Sequence, residues 1–176
     1  MSKLRTHQGI SKGKFVNAAM YINIGTRDFL MRLSARAARI YVEKVMELAH
    51  DMLTNAETAQ TMNPTDPTRY ELRKKHLLEA RGACSALDIE LELMYQHLMK
   101  NPMGAFDDLK KKAEAVGKLD DADRRRKQIA KEAIERLDHM SENLGVLIDD
   151  ELAMITTLLE SDRDAYKKAM KRLNRQ

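Results

Sequence analysis

Between Pro67 and Met99 apolar residues recur every seven positions: Tyr70, Leu77, Cys84, Leu91 and Leu98. Ala80, Leu87 and Met94 fill the second seam position of the same heptad. That spacing lines one face of a single long helix. A helix cannot bury such a face against itself, so the pattern demands covering helices. A second stripe runs from Thr26 to about Ala59 through Leu30, Leu33, Ala37, Tyr41, Val45, Leu48 and Met52, at steps of three and four. A third begins at Asp120 or Asp121 and takes in Ile129, Ala133, Leu137, Met140, Leu144, Ile148, Leu152, Ile155 and Leu159, with room to continue through Tyr166, Met170 and Leu173. Two shorter patterns accompany these. Ser11 is placed to cap a helix through Phe15, Val16, Ala19 and Ile22, with Gly25 placed to stop it. Phe106, Leu109, Ala113 and Val116 mark a short connector helix closed by Gly117.

The breaks between these patterns have local causes. Asn63-Pro64 and Asp66-Pro67 force a turn, with Asp66 as cap and Pro67 at the first helical position. Asn101, Pro102 and Gly104 interrupt the chain again. Arg73 falls inside the apolar stripe, where it is expected to snorkel toward the bundle end. Gly145 sits mid-helix and suggests a close neighbour. The expected fold is all-α: an antiparallel up-down bundle of three long helices plus shorter N-terminal and connector helices, of the four-helix-bundle type. The expected organisation is a basic arm over 1–25, a bundle over 26–162 and a basic helical tail over 163–176.

Composition strengthens the helical reading. The 176 residues contain only 7 Gly and 3 Pro, no Trp, and abundant Ala, Leu, Met, Glu, Lys and Arg. The lone Cys84 can form no internal disulfide, and its heptad position makes it a core residue. Met1 to Lys14 lacks an apolar signal core, and no stretch approaches a membrane span, so a cytoplasmic protein is expected. The mixed charges on the amphipathic helices also argue against a membrane-surface role.

Charge is unevenly spread. Residues 1–25 carry four cations and no acid, and residues 163–176 carry six cations against Asp164. With a net charge of +4 overall, residues 26–162 hold −5. An acidic body with basic ends points to a nucleic-acid or other acidic partner. The candidate phosphate-contacting residues fall into groups. Arg32, Arg36 and Arg39 would form one ridge along the second helix. Lys74 and Arg81 flank the Pro67–Met99 stripe. Arg124, Arg125, Arg126 and Lys127 open the last helix, with Lys131 a turn on. Lys167, Lys168, Lys171 and Arg172 lie in the tail. The plain alternative for each group is a solvated helix face.

No catalytic constellation emerges, so an enzyme, a cofactor and a metal are not expected. Glu47 and His50 have the Glu-x-x-His spacing of di-iron bundles, but they lie opposite the Tyr41–Leu48 stripe and should face water. Glu135 and His139 are one residue too far apart, and His76 and His97 have no partner ligands at metal spacing. There is no phosphate-cradling glycine loop. Two functional classes remain: a nucleic-acid-binding assembly protein, and a helical scaffold or adaptor with protein partners only.

The order of elements resembles a known family. A helix ends near Asn55-Ala56, a polar turn carries Asp66-Pro67, and a basic start, Arg69, Arg73, Lys74 and Lys75, leads into the Ala/Cys/Leu-rich Ala80–Met94. The closing helix ends LIDDELAMITTLLESDRDAY, from Leu147 to Tyr166. These features are similar to the four-helix-bundle proteins grouped with the ribosomal-RNA intervening-sequence proteins. They are most similar to the Avd-like accessory proteins of diversity-generating retroelements. The resemblance covers about Thr26 to Tyr166. The short first helix and the basic insert from Asn101 to Lys131 depart from the family pattern. The resemblance implies a homo-oligomeric ring, typically a pentamer, with a positive surface. It also implies binding to RNA or DNA and to a reverse transcriptase that copies a template RNA.

Overall fold

The computed structural model describes residues 13–117 and 121–175. It is an all-α bundle, with no strand among those residues. Helix α1 spans Lys14–Arg32, α2 Ala35–Gln60 and α3 Pro67–Met99. A 3-10 turn at Pro102–Ala105 leads to α4, Asp107–Ala115, and then to the 52-residue α5, Ala122–Leu173. Successive long helices run antiparallel, and α1 packs on α2 and α5 while α3 packs on both of the same helices. The four long helices therefore form the sides of the bundle.

The α2–α3 hairpin forms as its turn chemistry dictates. Asp66 Oδ1 accepts from the Arg69 amide at 2.8 Å, and Pro67 occupies the first turn. The seam of α3 is buried at Tyr70, Leu77, Ala80, Cys84, Leu87, Met94 and Leu98, with Leu91 half-buried.

The start of the chain departs from the sequence expectation. Helix α1 does not stop at Gly25, and no helix starts at Thr26. Instead α1 continues to Arg32 and the break falls at Leu33–Ser34, where Ser34 Oγ accepts from the Ala37 amide and caps α2. Gly25 is there for packing. A Cβ at Gly25 would come within 3.1 Å of Leu144 Cδ2, so the missing side chain lets α1 approach α5. Gly145, expected to mark such an approach, has nothing within 4 Å of its Cβ position. The proposed Ser11 cap lies outside the described residues. Phe15, Ala19 and Ile22 are buried in the core, so α1 docks on its own chain.

The connector also does more than link. Phe106, Leu109 and Val116 are buried and close one end of the bundle core. Arg136 of α5 holds them in place, reaching Asp108 at 3.0 Å and Glu132 at 2.7 Å while lying over the Phe106 ring. Ser34 ties the α1–α2 junction to the same end through its backbone amide to Ala105 O and its hydroxyl to Gly104 O.

Arg73 does not snorkel. It is buried, its Nε donates to Asp162 Oδ2 at 2.5 Å, and its Nη1 donates to Ala59 O at 2.5 Å. It thereby satisfies a carbonyl near the end of α2 while joining α3 to α5. Beside it the rings of Tyr70 and Tyr166 stack in parallel, centroids 4.3 Å apart. On α5 the buried face also differs from the expected stripe: Met140, Leu152 and Leu159 are only half-buried, whereas Glu151 and Asp162 are buried.

Candidate nucleic-acid interface

The fourteen candidate cations are all exposed, but the fold sorts them into two ends. At the connector end, Arg124 to Lys127 lie in the first two turns of α5. With 100° per residue, Arg124, Lys127 and Lys131 share the face turned away from buried Ile129 and Ala133. Arg125 pairs with Asp121 at 2.8 Å, Arg126 reaches Gly117 O at 3.4 Å, and Lys131 stands 3.7 Å from Glu135. Arg124 and Lys127 have no ion pair among the described residues. Crowding cations at a helix start sets them against the positive end of the helix dipole as well as against each other. A polyanion bound there relieves both repulsions.

Arg32, Arg36 and Arg39 do not form a single ridge. The break at Leu33–Ser34 leaves Arg32 on α1 and Arg36 and Arg39 on α2. Arg32 lines a cleft on the α5 side with Phe106, Arg136, His139 and Met140. Arg36 lines a different cleft, with Tyr41, His97, Asn101 and Lys110. There the Tyr41 hydroxyl meets His97 Nδ1, a contact that the separated apolar stripes did not suggest. All three arginines belong to the connector end, and none has an ion pair among the described residues.

At the other end, Lys167, Lys168, Lys171 and Arg172 cover a continuous face of the α5 terminus. They too lack ion pairs among the described residues. Asp162 and the Tyr70–Tyr166 stack fix the preceding turn onto α3, so the tail continues a helix that is already anchored. Cations in the last turns match the negative end of the dipole, so this end is also locally stabilised. Lys74 lies on α3 nearby but is engaged with Glu71 at 3.7 Å. Arg81 stands apart in mid-bundle.

Between the ends α5 is acidic. From Glu132 to Asp164 it holds ten acids against Arg136 and Arg163, a formal charge of −8. The flanking segments, 123–131 and 165–173, each carry a formal +4. The middle also holds a strongly perturbed ionisable group. Glu151 is fully buried, neither carboxylate oxygen has a hydrogen-bond partner among the described residues, and burial pushes its pKa up to about 8. Cys84, buried on the facing helix, is pushed up to about 12 by burial, then by the Glu151, Asp88 and Asp149 charges. Its thiol is thus not a poised nucleophile. The spacing of Glu151 was a usable signal, since it lies three residues after Ile148 and four before Ile155.

Glu47 and His50 are exposed, with Glu47 paired to Lys44 at 3.3 Å. No group of three His, Cys, Asp or Glu side chains among the described residues could hold a metal ion. No helix among them is long and apolar enough to cross a membrane. Compared with protein-family models, curated proteins and solved structures, the chain matches none.

Proposed function

We propose that this chain is a non-enzymatic bundle that binds RNA or DNA through backbone phosphates. In this reading it assembles as a homo-oligomer, pentameric as the family resemblance implies, and serves as an accessory to a reverse transcriptase. The observation that carries the reading is the charge layout of α5. Exposed cations gather at both of its ends, and most lack an acidic partner among the described residues. Such cations supply counterion-releasing phosphate contacts, whose strength falls linearly in log salt with a slope of about 0.9 per neutralised phosphate on duplex.

The test is a binding titration at several salt concentrations. Affinity should fall steeply with salt, and the variant carrying Arg124→Glu, Arg125→Glu and Arg126→Glu should bind at least tenfold more weakly while its helical circular dichroism is unchanged. Salt-independent binding would sink the reading. The accessory role is tested by primer extension: a retroelement reverse transcriptase should copy its template RNA further when the protein is present.

A scaffold with protein partners only remains the second reading. It is favoured by apolar side chains on outward faces, among them Ile24 and Met31 of α1 and Ile89 and Leu93 of α3. Light scattering separates the two: a monomer that ignores RNA supports the scaffold, and an oligomer that retains RNA supports the proposal.

A further inference from the structure

We infer that the preferred ligand is a double-stranded nucleic acid long enough to bridge both ends of α5, about 18 base pairs or more given a rise of about 3.4 Å per step. The inference rests on the phosphate-binding reading above and adds the form and length of the ligand.

The length follows from the helix. α5 is continuous from Ala122 to Leu173. Lys127 and Lys168 are therefore about 60 Å apart along it, at about 1.5 Å per residue. Fields are screened within about 8 Å at physiological salt, so the two basic ends act as separate sites. Between them the exposed acids of Glu132 to Asp164, which outnumber Arg136 and Arg163 even with buried Glu151 and Asp162 set aside, repel phosphate. A short duplex can satisfy only one end. A duplex that spans both ends makes its second contact intramolecularly, at a high effective concentration.

The form follows from the aromatic side chains. Proteins that hold single strands stack unpaired bases on exposed aromatic rings beside the basic groove. The chain has no Trp, and its 3 Phe and 5 Tyr are otherwise engaged or remote. Phe15, Phe29, Phe106 and Tyr70 are buried. Tyr166 stacks on Tyr70, Tyr95 bonds Asp138 and Tyr41 bonds His97. Only Tyr21 is open, at 56% exposure, and it lies on α1 four residues before Gly25, which packs on Leu144 in the acidic middle of α5. Contacts at both ends are thus limited to phosphates, and a stiff duplex presents phosphates in fixed register across the gap, whereas a flexible strand must be ordered to do so.

The experiment is a fluorescence-anisotropy titration of the full chain with labelled DNA duplexes of graded length, from about 10 to about 30 base pairs, plus a single strand of the longest length, all chosen around the 3.4 Å rise. The inference expects weak, similar binding below the bridging length, then a step of at least tenfold, with the salt slope about doubled. A variant with Lys168→Glu, Lys171→Glu and Arg172→Glu should lose the step yet keep the short-duplex affinity, because the connector end is intact. Affinity that rises smoothly with length overturns the bridging inference and leaves phosphate binding standing, as does a single strand that binds as tightly as the long duplex. Absence of binding at every length overturns the phosphate-binding reading itself.

Discussion

Two buried acids stand eleven residues apart on α5, and the core treats them in opposite ways. Asp162 meets Arg73, whose Nη1 also donates to the Ala59 and Met62 carbonyls at the α2 terminus. Glu151 meets no hydrogen-bond partner among the described residues, and the Thr26 hydroxyl of α1 is likewise buried without one. The first acid has a complementary charge beside it, which offsets the cost of its desolvation. The second has no such offset, so it is held as the neutral acid. The contrast shows what a buried carboxyl needs in this bundle: a cation long enough to reach it from a neighbouring helix. α3 supplies Arg73 at the level of Asp162 but the uncharged Cys84 at the level of Glu151.

The sharpest way to break the contrast is to turn Asp162 into a second Glu151. Arg73→Met leaves a buried charge and unpaired carbonyls, and should cost about 3–5 kcal/mol, read as a lower denaturant midpoint. Replacing both partners, Arg73→Met with Asp162→Leu, should recover most of that loss, because an apolar pair needs no desolvation offset. Recovery that fails would mean the ion pair contributes more than its own compensation.

Glu151 gives the next largest effect, and its sign depends on pH. Its folded pKa lies above its ordinary value, so the folded state binds the proton more tightly. Its contribution is fully present below the ordinary carboxylate range and is lost as pH rises toward about 8. Within that window stability should fall by up to about 1.4 kcal/mol per pH unit. Glu151→Gln should flatten this dependence, and Glu151→Met should raise stability by about 2 kcal/mol or more at alkaline pH. Thermal melts across the range check both. A wild-type melt independent of pH in this window would contradict the neutral, buried acid.

Smaller effects sharpen the comparison. Tyr166→Leu removes the stack beside the Arg73–Asp162 pair and should cost about 1 kcal/mol. Gly145→Ala, on α5 ahead of Glu151 and in open space, should stabilise by about 0.5–1 kcal/mol through helix propensity alone. It also measures the helix itself, independent of either acid.

Most of the α3 seam and the proline turn before it were legible as sequence, because each depends on local spacing or a local cap. The basic clusters were legible too, since charge is a composition property. The fate of Gly25 was not: in sequence it is a helix stop, and in space it is the gap that Leu144 fills. The Arg32–Arg36–Arg39 ridge failed for the same reason, because the true break lies between its first two members. The connector was also undervalued, since Phe106, Leu109 and Val116 gain their burial from α5 and the bundle end.

What the sequence alone determined is local: that the chain is helical, that α3 carries one apolar seam behind a capped proline turn, and that α5 is basic at its ends and acidic between them. Only the tertiary structure decided which charge meets which. Arg73 and Asp162 are 89 residues apart in the chain and touch, while Glu151 occupies a seam position with nothing opposite to receive it. Local pattern measures a residue's own preference for water or helix, but the cost of burying a charge is set by the group that the packing brings to it.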